Sequence, residues 1–169
     1  DLFRAFGKGD IKAMWIACTN PGQSLPNLNA HRKSMEGNET FLVVSEAYHP
    51  TRTSELADLV LPAALWVEKE GTYGQSERRY QYLEKAVAPL GQARPDLEVM
   101  MTFGKKLLEA LGRGEEAQKL FTYIGAEDVW NEMRQASKGT VYDFSGMTRI
   151  NMRKAHGIQW PMPSEDHPG

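Results

Sequence analysis

The sequence predicts an α/β fold in three layers: a mainly parallel sheet over residues 10–65 covered by helices, then a helical C-terminal third. Three observations carry this. Two apolar runs rich in β-branched residues, ending at Val44 and at Leu61, read as strands and give way to Ser45-Glu46-Ala47-Tyr48 and to Pro62. The link between them, with Thr53-Ser54-Glu55-Leu56-Ala57 at its centre, reads as a short polar helix, the crossover that parallel strands need. An earlier apolar run, residues 11–19, lies between Gly9-Asp10 and Asn20-Pro21-Gly22 and supplies a further buried strand. Ligands of open parallel sheets bind beyond the carboxyl ends of the strands, and polar residues fall at those ends here.

The chain opens on Leu2-Phe3-Arg4-Ala5-Phe6, a helix closed by Gly7 or Gly9. Residues 11–19 follow as the first strand. Residues 27–35, after Pro26, suit a helix that Gly37 ends. Residues 40–45 are the second strand, residues 53–57 a short helix capped by Thr53, and residues 59–61 the third strand. Trp66-Val67-Glu68-Lys69-Glu70-Gly71-Thr72-Tyr73-Gly74 reads as a polar loop, with an extended piece at 80–83. The most regular helix comes after a loop at 89–95. Leu97, Met100, Met101, Gly104, Leu107, Leu108 and Leu111 recur at spacings of three and four, a narrow stripe expected to be core. Pro95 and Asp96 suit its start and Gly112 its stop. Residues 116–123, 127–136 and 148–156 are further helices, with a loop at 141–146 and a Pro-rich extended end.

At 169 residues, 41% apolar and 25% charged, the chain has material for a core. A net charge of −2 with no Lys/Arg block gives no electrostatic reason to expect nucleic acid, and no apolar run is long enough for a membrane span. No signal peptide is visible at the start. A lone cysteine, Cys18, rules out an internal disulfide or a thiolate cluster built by this chain, and reads as a small core or strand-end residue. His31, His49, His156 and His167 lack metal-ligand spacing. Neither Gly-x-Gly-x-x-Gly nor Gly-x-x-x-x-Gly-Lys-Ser/Thr occurs, which argues against a nicotinamide dehydrogenase and a P-loop enzyme. A start without Met, inside a helix, and an end in a loop suggest a piece of a larger protein.

Four ordered blocks carry a resemblance: Cys18-Thr19-Asn20-Pro21, Val44-Ser45-Glu46-Ala47-Tyr48, Glu55-Leu56-Ala57-Asp58-Leu59-Val60-Leu61-Pro62-Ala63-Ala64, and Trp66 through Arg79. Together they resemble the large subunit of the molybdopterin oxidoreductases that carry bis(molybdopterin guanine dinucleotide) molybdenum, most of all the nitrate reductase branch and its periplasmic catalytic subunit. The likeness covers residues 10–100 well, and Gly157-Ile158-Gln159-Trp160-Pro161 with Asp166-His167-Pro168-Gly169 extends it less distinctively. It implies a Rossmann-like dinucleotide-binding segment at 1–112 and a helical and loop extension at 113–169. It also implies that Asn20, Ser45, Glu46, Lys69 and Asp96 touch one guanine dinucleotide. Glu46 stands where many relatives have Asp. No catalytic and no metal-ligating residue is carried over; a 4Fe-4S cluster would be held by other segments of the parent protein.

The implied activity is two-electron reduction of nitrate to nitrite by oxygen-atom transfer. The implied partners are the remaining domains and an electron donor such as a cytochrome or ferredoxin, in a periplasmic or alternatively cytoplasmic enzyme. Formate dehydrogenases share these blocks, and a non-catalytic relative in a respiratory complex would share the sheet. The residues alone leave plainer readings open. Asn20-Pro21-Gly22 is also an ordinary turn, Glu46 a solvated loop acid, Lys69 part of a charge run, and Asp96 a residue favoured by the helix dipole.

Overall fold

The computed structural model describes residues 2–37 and 40–167; Asp1, Pro168 and Gly169, which entered the reading of the ends, lie outside the described residues. Two compact units form, Asp1–Leu65 with Pro89–Asp96 and Trp66–Ala88 with Leu97–Gly169. The contacts thus divide near Leu65, Ala88 and Asp96, whereas the sequence suggested a boundary after Gly112.

In the first unit, strands β1 (Ala13–Ala17), β2 (Phe41–Glu46) and β3 (Leu59–Pro62) pair in parallel, in chain order. The α/β class and the parallel sheet are as predicted. Alternation decides the buried face: Met14 and Ile16 of β1 and Leu42 and Val44 of β2 point one way. They meet Phe6 of helix α1 (Leu2–Gly7) and Met35 of a later helix, Leu28–Met35, all buried. Burial of side chains of this size contributes roughly 1.5–3 kcal/mol each. One short helix was read only as a turn: α2 (Pro21–Ser24) opens with Pro at its first position, just after β1, and the Leu28–Met35 helix is α3.

The crossover between β2 and β3 holds a single 3₁₀ turn, Ser54–Leu56. Thr53 does not cap it, contrary to expectation. Its hydroxyl is drawn instead to Asn20, while the Ser54 N–H donates to Thr51 Oγ1 at 3.1 Å. The start of β3 is tied to β2 by a pair of bonds. Leu42 N–H donates to Asp58 Oδ2 at 2.7 Å, and Asp58 N–H donates to the Leu42 carbonyl at 2.9 Å. That pair sets the register in which Ser45 faces Leu61 and Glu46 faces Pro62.

The second unit is built on an antiparallel sheet that the sequence reading did not foresee. Strands β4 (Gly71–Gly74), β5 (Arg79–Leu83) and β6 (Ile158–Gln159) pair in that order. Its helices are α4 (Asp96–Ala110, of which Asp96 belongs to the first unit), α5 (Gly114–Leu120), α6 (Ala126–Ala136) and α7 (Arg149–Lys154). Tyr82, Trp130, Phe144, Met147, Met152, Ile158 and Met162 make its core. Trp130 stacks on Phe144 with centroids 5.2 Å apart and donates from Nε1 to the Met147 carbonyl at 2.8 Å. Thr148 caps α7 by accepting from Asn151 N–H; the left-handed residue that stops the helix is His156, φ 54, and not Gly157, whose N–H donates back to the Met152 carbonyl at 2.9 Å. One expectation fails on α4. None of its residues is fully buried: Leu97, Met101, Gly104 and Leu108 are partly covered, Gly104 by Phe121, while Met100 and Leu107 are about half exposed, so the stripe is only partly covered among the described residues.

Candidate functional site

The carboxyl ends of β1 and β2 lie side by side because Ala17 pairs with Ser45. Strand β1 gives way to Cys18-Thr19-Asn20, and β2 ends on Glu46 and gives way to Ala47-Tyr48. Cys18 adopts a left-handed backbone, φ 60, and is exposed; it is a strand-end residue and not a core one. The chain turns there into α2.

Asn20 is half-buried, and its Oδ1 accepts from the Thr53 hydroxyl. The same hydroxyl accepts from Gly22 N–H at 2.9 Å, so the loop after β1 is fastened to the loop after β2. The loop after β2 is itself well determined. Buried Ser54 accepts from Thr51 N–H at 2.8 Å and lies 2.9 Å from His49 Nδ1.

Glu46 folds back on its own loop. Its Oε1 accepts from Ala47 N–H at 2.9 Å and from Tyr48 N–H at 3.2 Å. One carboxylate oxygen holds the turn, and the other is the acceptor that the loop can offer a ligand. Ser45 is buried, and its Oγ accepts from Trp15 Nε1 at 2.8 Å, so its side chain braces the sheet on the face opposite Met14 and Leu42.

Asp96 reaches the same edge by a path that spacing does not reveal. Arg94 N–H donates to the Pro62 carbonyl at 3.1 Å, and Ala64 N–H donates to the Arg94 carbonyl at 2.9 Å. This bridge lays residues 93–95 alongside the end of β3 and carries Asp96 toward β1, where its Oδ1 lies 4.0 Å from Cys18 Sγ. Asn20, Glu46 and Asp96, scattered over 76 positions, thus gather at the carboxyl ends of one sheet. Lys69 lies in the second unit, half-buried between the 3₁₀ turn Trp66–Glu68 and β4. Thr53 and Asp58, which organise this edge, were not singled out from sequence as site residues. Asp58 lies within the block Glu55–Ala64, and Thr53 lies two residues before it.

The edge therefore offers carboxylate acceptors and one amide, which suits a ligand rich in N–H and O–H donors. No cluster of three or more His, Cys, Asp or Glu suited to a metal occurs among the described residues. Nor is any helix among them long and apolar enough to cross a membrane.

Comparisons with known proteins bear on what the site serves. The family model described as molybdopterin oxidoreductase matches residues 1–106. The chain is 51% identical over 168 residues to the periplasmic nitrate reductase of Desulfovibrio desulfuricans, covering 99% of this chain and 21% of that protein. It is 48% identical over 170 residues to the nitrate reductase of Symbiobacterium thermophilum, covering 100% of this chain and again 21% of the relative. The chain thus spans about a fifth of the length of these curated relatives. Among solved structures, acetylene hydratase from Pelobacter acetylenicus matches with a TM-score of 0.61 at 21% identity, over 77% of this chain and 17% of that one, a likeness of fold.

Proposed function

The chain belongs to the molybdopterin oxidoreductase family, and from that premise we propose that its first unit cradles one guanosine half of a molybdopterin guanine dinucleotide in a molybdenum-dependent nitrate reductase. The observation that carries this reading is the gathering of Asn20, Glu46 and Asp96 at the carboxyl ends of β1 and β2.

The donor set fits the group. Guanine presents a 2-amino donor beside its N1–H, a pair that adenine lacks, and a carboxylate such as Asp96 accepts both together. Glu46, the last residue of β2, offers an acceptor for a ribose hydroxyl. Asn20 contributes through its amide. Ser45 acts by holding the end of β2 against Trp15, with its own O–H as a further donor. Lys69, in the second unit, has the positive charge that suits a pyrophosphate, the role that the family resemblance implies for it. When bound, the molybdenum–pterin group supplies two-electron oxygen-atom transfer, reducing nitrate to nitrite. This chain's part is to bind and orient. Its single cysteine leaves any 4Fe-4S cluster to other segments of the polypeptide. Those segments would complete the enzyme, a cytochrome or ferredoxin would bring the electrons, and the periplasm is the compartment that the Desulfovibrio relative suggests.

The test is turnover by the full-length protein that carries this chain, with a reduced viologen as donor and nitrate as acceptor, against viologen-linked formate oxidation. Nitrite formation without formate oxidation supports the reading. Formate oxidation without nitrite formation overturns the substrate assignment.

A further inference from the structure

The Asn20 amide has a donor end and an acceptor end, and its surroundings decide which of them a ligand meets. Thr53 is fully buried. Its hydroxyl has one proton and already accepts from Gly22 N–H at 2.9 Å, so that proton goes to Asn20 Oδ1. The amide oxygen is thereby committed to the protein, and Nδ2 with its two N–H groups is the end left for a ligand. The close approach depends on glycine: a Cβ at Gly22 would lie 2.8 Å from the Arg52 carbonyl oxygen and 3.0 Å from Thr53 Oγ1. The backbone is held too, since Ser24 Oγ donates to the Asn20 carbonyl at 3.0 Å.

We propose that Thr53 is a positioning residue that fixes the polarity of the Asn20 amide, so that the loop after β1 presents donors to an acceptor oxygen of the bound nucleotide. The proposal rests on the cofactor reading above. The edge then pairs opposite chemistries: Glu46 and Asp96 accept, Asn20 donates. Were the amide reversed, its oxygen would face the ligand's acceptor, and a favourable contact would become a repulsive one.

The test uses the full-length protein, counting guanine nucleotide retained per polypeptide over time in sub-denaturing urea, with thermal midpoints measured alongside. Asn20→Ala and Thr53→Val should each release guanine about tenfold faster than the wild type, on the scale of one lost hydrogen bond. Thr53→Ser, which keeps the hydroxyl, should release within about twofold of the wild type. In the Asn20→Ala background, Thr53→Val should add nothing to the rate. Asn20→Asp keeps an acceptor for Thr53 but replaces the outward donors with an oxygen, and should release at least as fast as Asn20→Ala; it also serves if Thr53→Val does not fold. Wild-type retention by Thr53→Val or by Asn20→Asp, or a full additional loss in the double variant, overturns the positioning role while Asn20→Ala still upholds the site. Wild-type retention by Asn20→Ala, or a full-length protein that carries no guanine, overturns the cofactor reading and the proposal with it.

Discussion

Removing the Asp58 carboxylate tests how the sheet delivers its site. Leu42 is 1% exposed, and its N–H donates at 2.7 Å to Asp58 Oδ2, a side-chain oxygen where a strand would offer a carbonyl, just before β3 begins at Leu59. The carboxylate stands in for that carbonyl. Asp58→Ala leaves a buried N–H without its acceptor, which costs roughly 1–3 kcal/mol; Asp58 is exposed and water can partly replace it, so about 1–2 kcal/mol is expected. Asp58→Asn keeps an oxygen in place and should cost less than about 1 kcal/mol. Amide hydrogen exchange is the assay of choice because it reads Leu42 itself. Its amide should exchange roughly 5–30 times faster in Asp58→Ala and only a few times faster in Asp58→Asn, at 1.4 kcal/mol per tenfold. Unchanged exchange at Leu42 in Asp58→Ala, or equal effects of the two substitutions, would refute the idea that this carboxylate pins β3 to β2.

Two further predictions concern the second unit. Trp130→Ala removes a ring that is 3% exposed, stacks on Phe144 and donates to the Met147 carbonyl, and should cost about 3–5 kcal/mol by urea unfolding; Trp130→Phe should recover more than half of that. Burial, and after it the Glu70 carboxylate, pushes the Tyr82 phenol up to about 12 from the ordinary 10.0. The folded state therefore favours the protonated phenol. That contribution is complete below about pH 10 and is lost as pH rises from there through about 12. Unfolding midpoints over this pH window should fall for the wild type and fall less for Tyr82→Phe.

The parts of the fold that were legible are those fixed by local pattern. Alternation at Met14, Ile16, Leu42 and Val44 specifies strands with one buried face, and Pro62 ends β3. Asn20, Ser45 and Glu46 are singled out by the family resemblance, and they stand where such strands end, Ser45 and Glu46 as the last two residues of β2 and Asn20 just past β1. Strand β4 could not be named. Gly71 and Gly74 disfavour a strand by propensity, and only pairing with β5 makes one; a Cβ at Gly74 would lie 2.7 Å from Tyr80. Thr53 was assigned to its own helix end because capping is local, whereas its actual partner lies 33 residues earlier. Asp96 was read correctly as a helix start, but its approach to Cys18 depends on the bridge between Arg94 and Ala63, which leaves no periodic signal. The stripe on α4 shows why periodicity alone is incomplete. It reports that a helix has an apolar face, not where the covering surface lies, and these relatives are about five times longer than this chain.

The measurement that tests the central claim most directly is calorimetric titration of the folded 169-residue chain with GDP and, as control, ADP. Asp96→Ala and Glu46→Ala are measured alongside. The account predicts that GDP binds in preference to ADP, that Asp96→Ala abolishes the preference, and that both variants weaken GDP by roughly 10–100-fold, the scale of a hydrogen bond to a charged group. Equal binding of GDP and ADP, or a preference for GDP that survives Asp96→Ala, would contradict it.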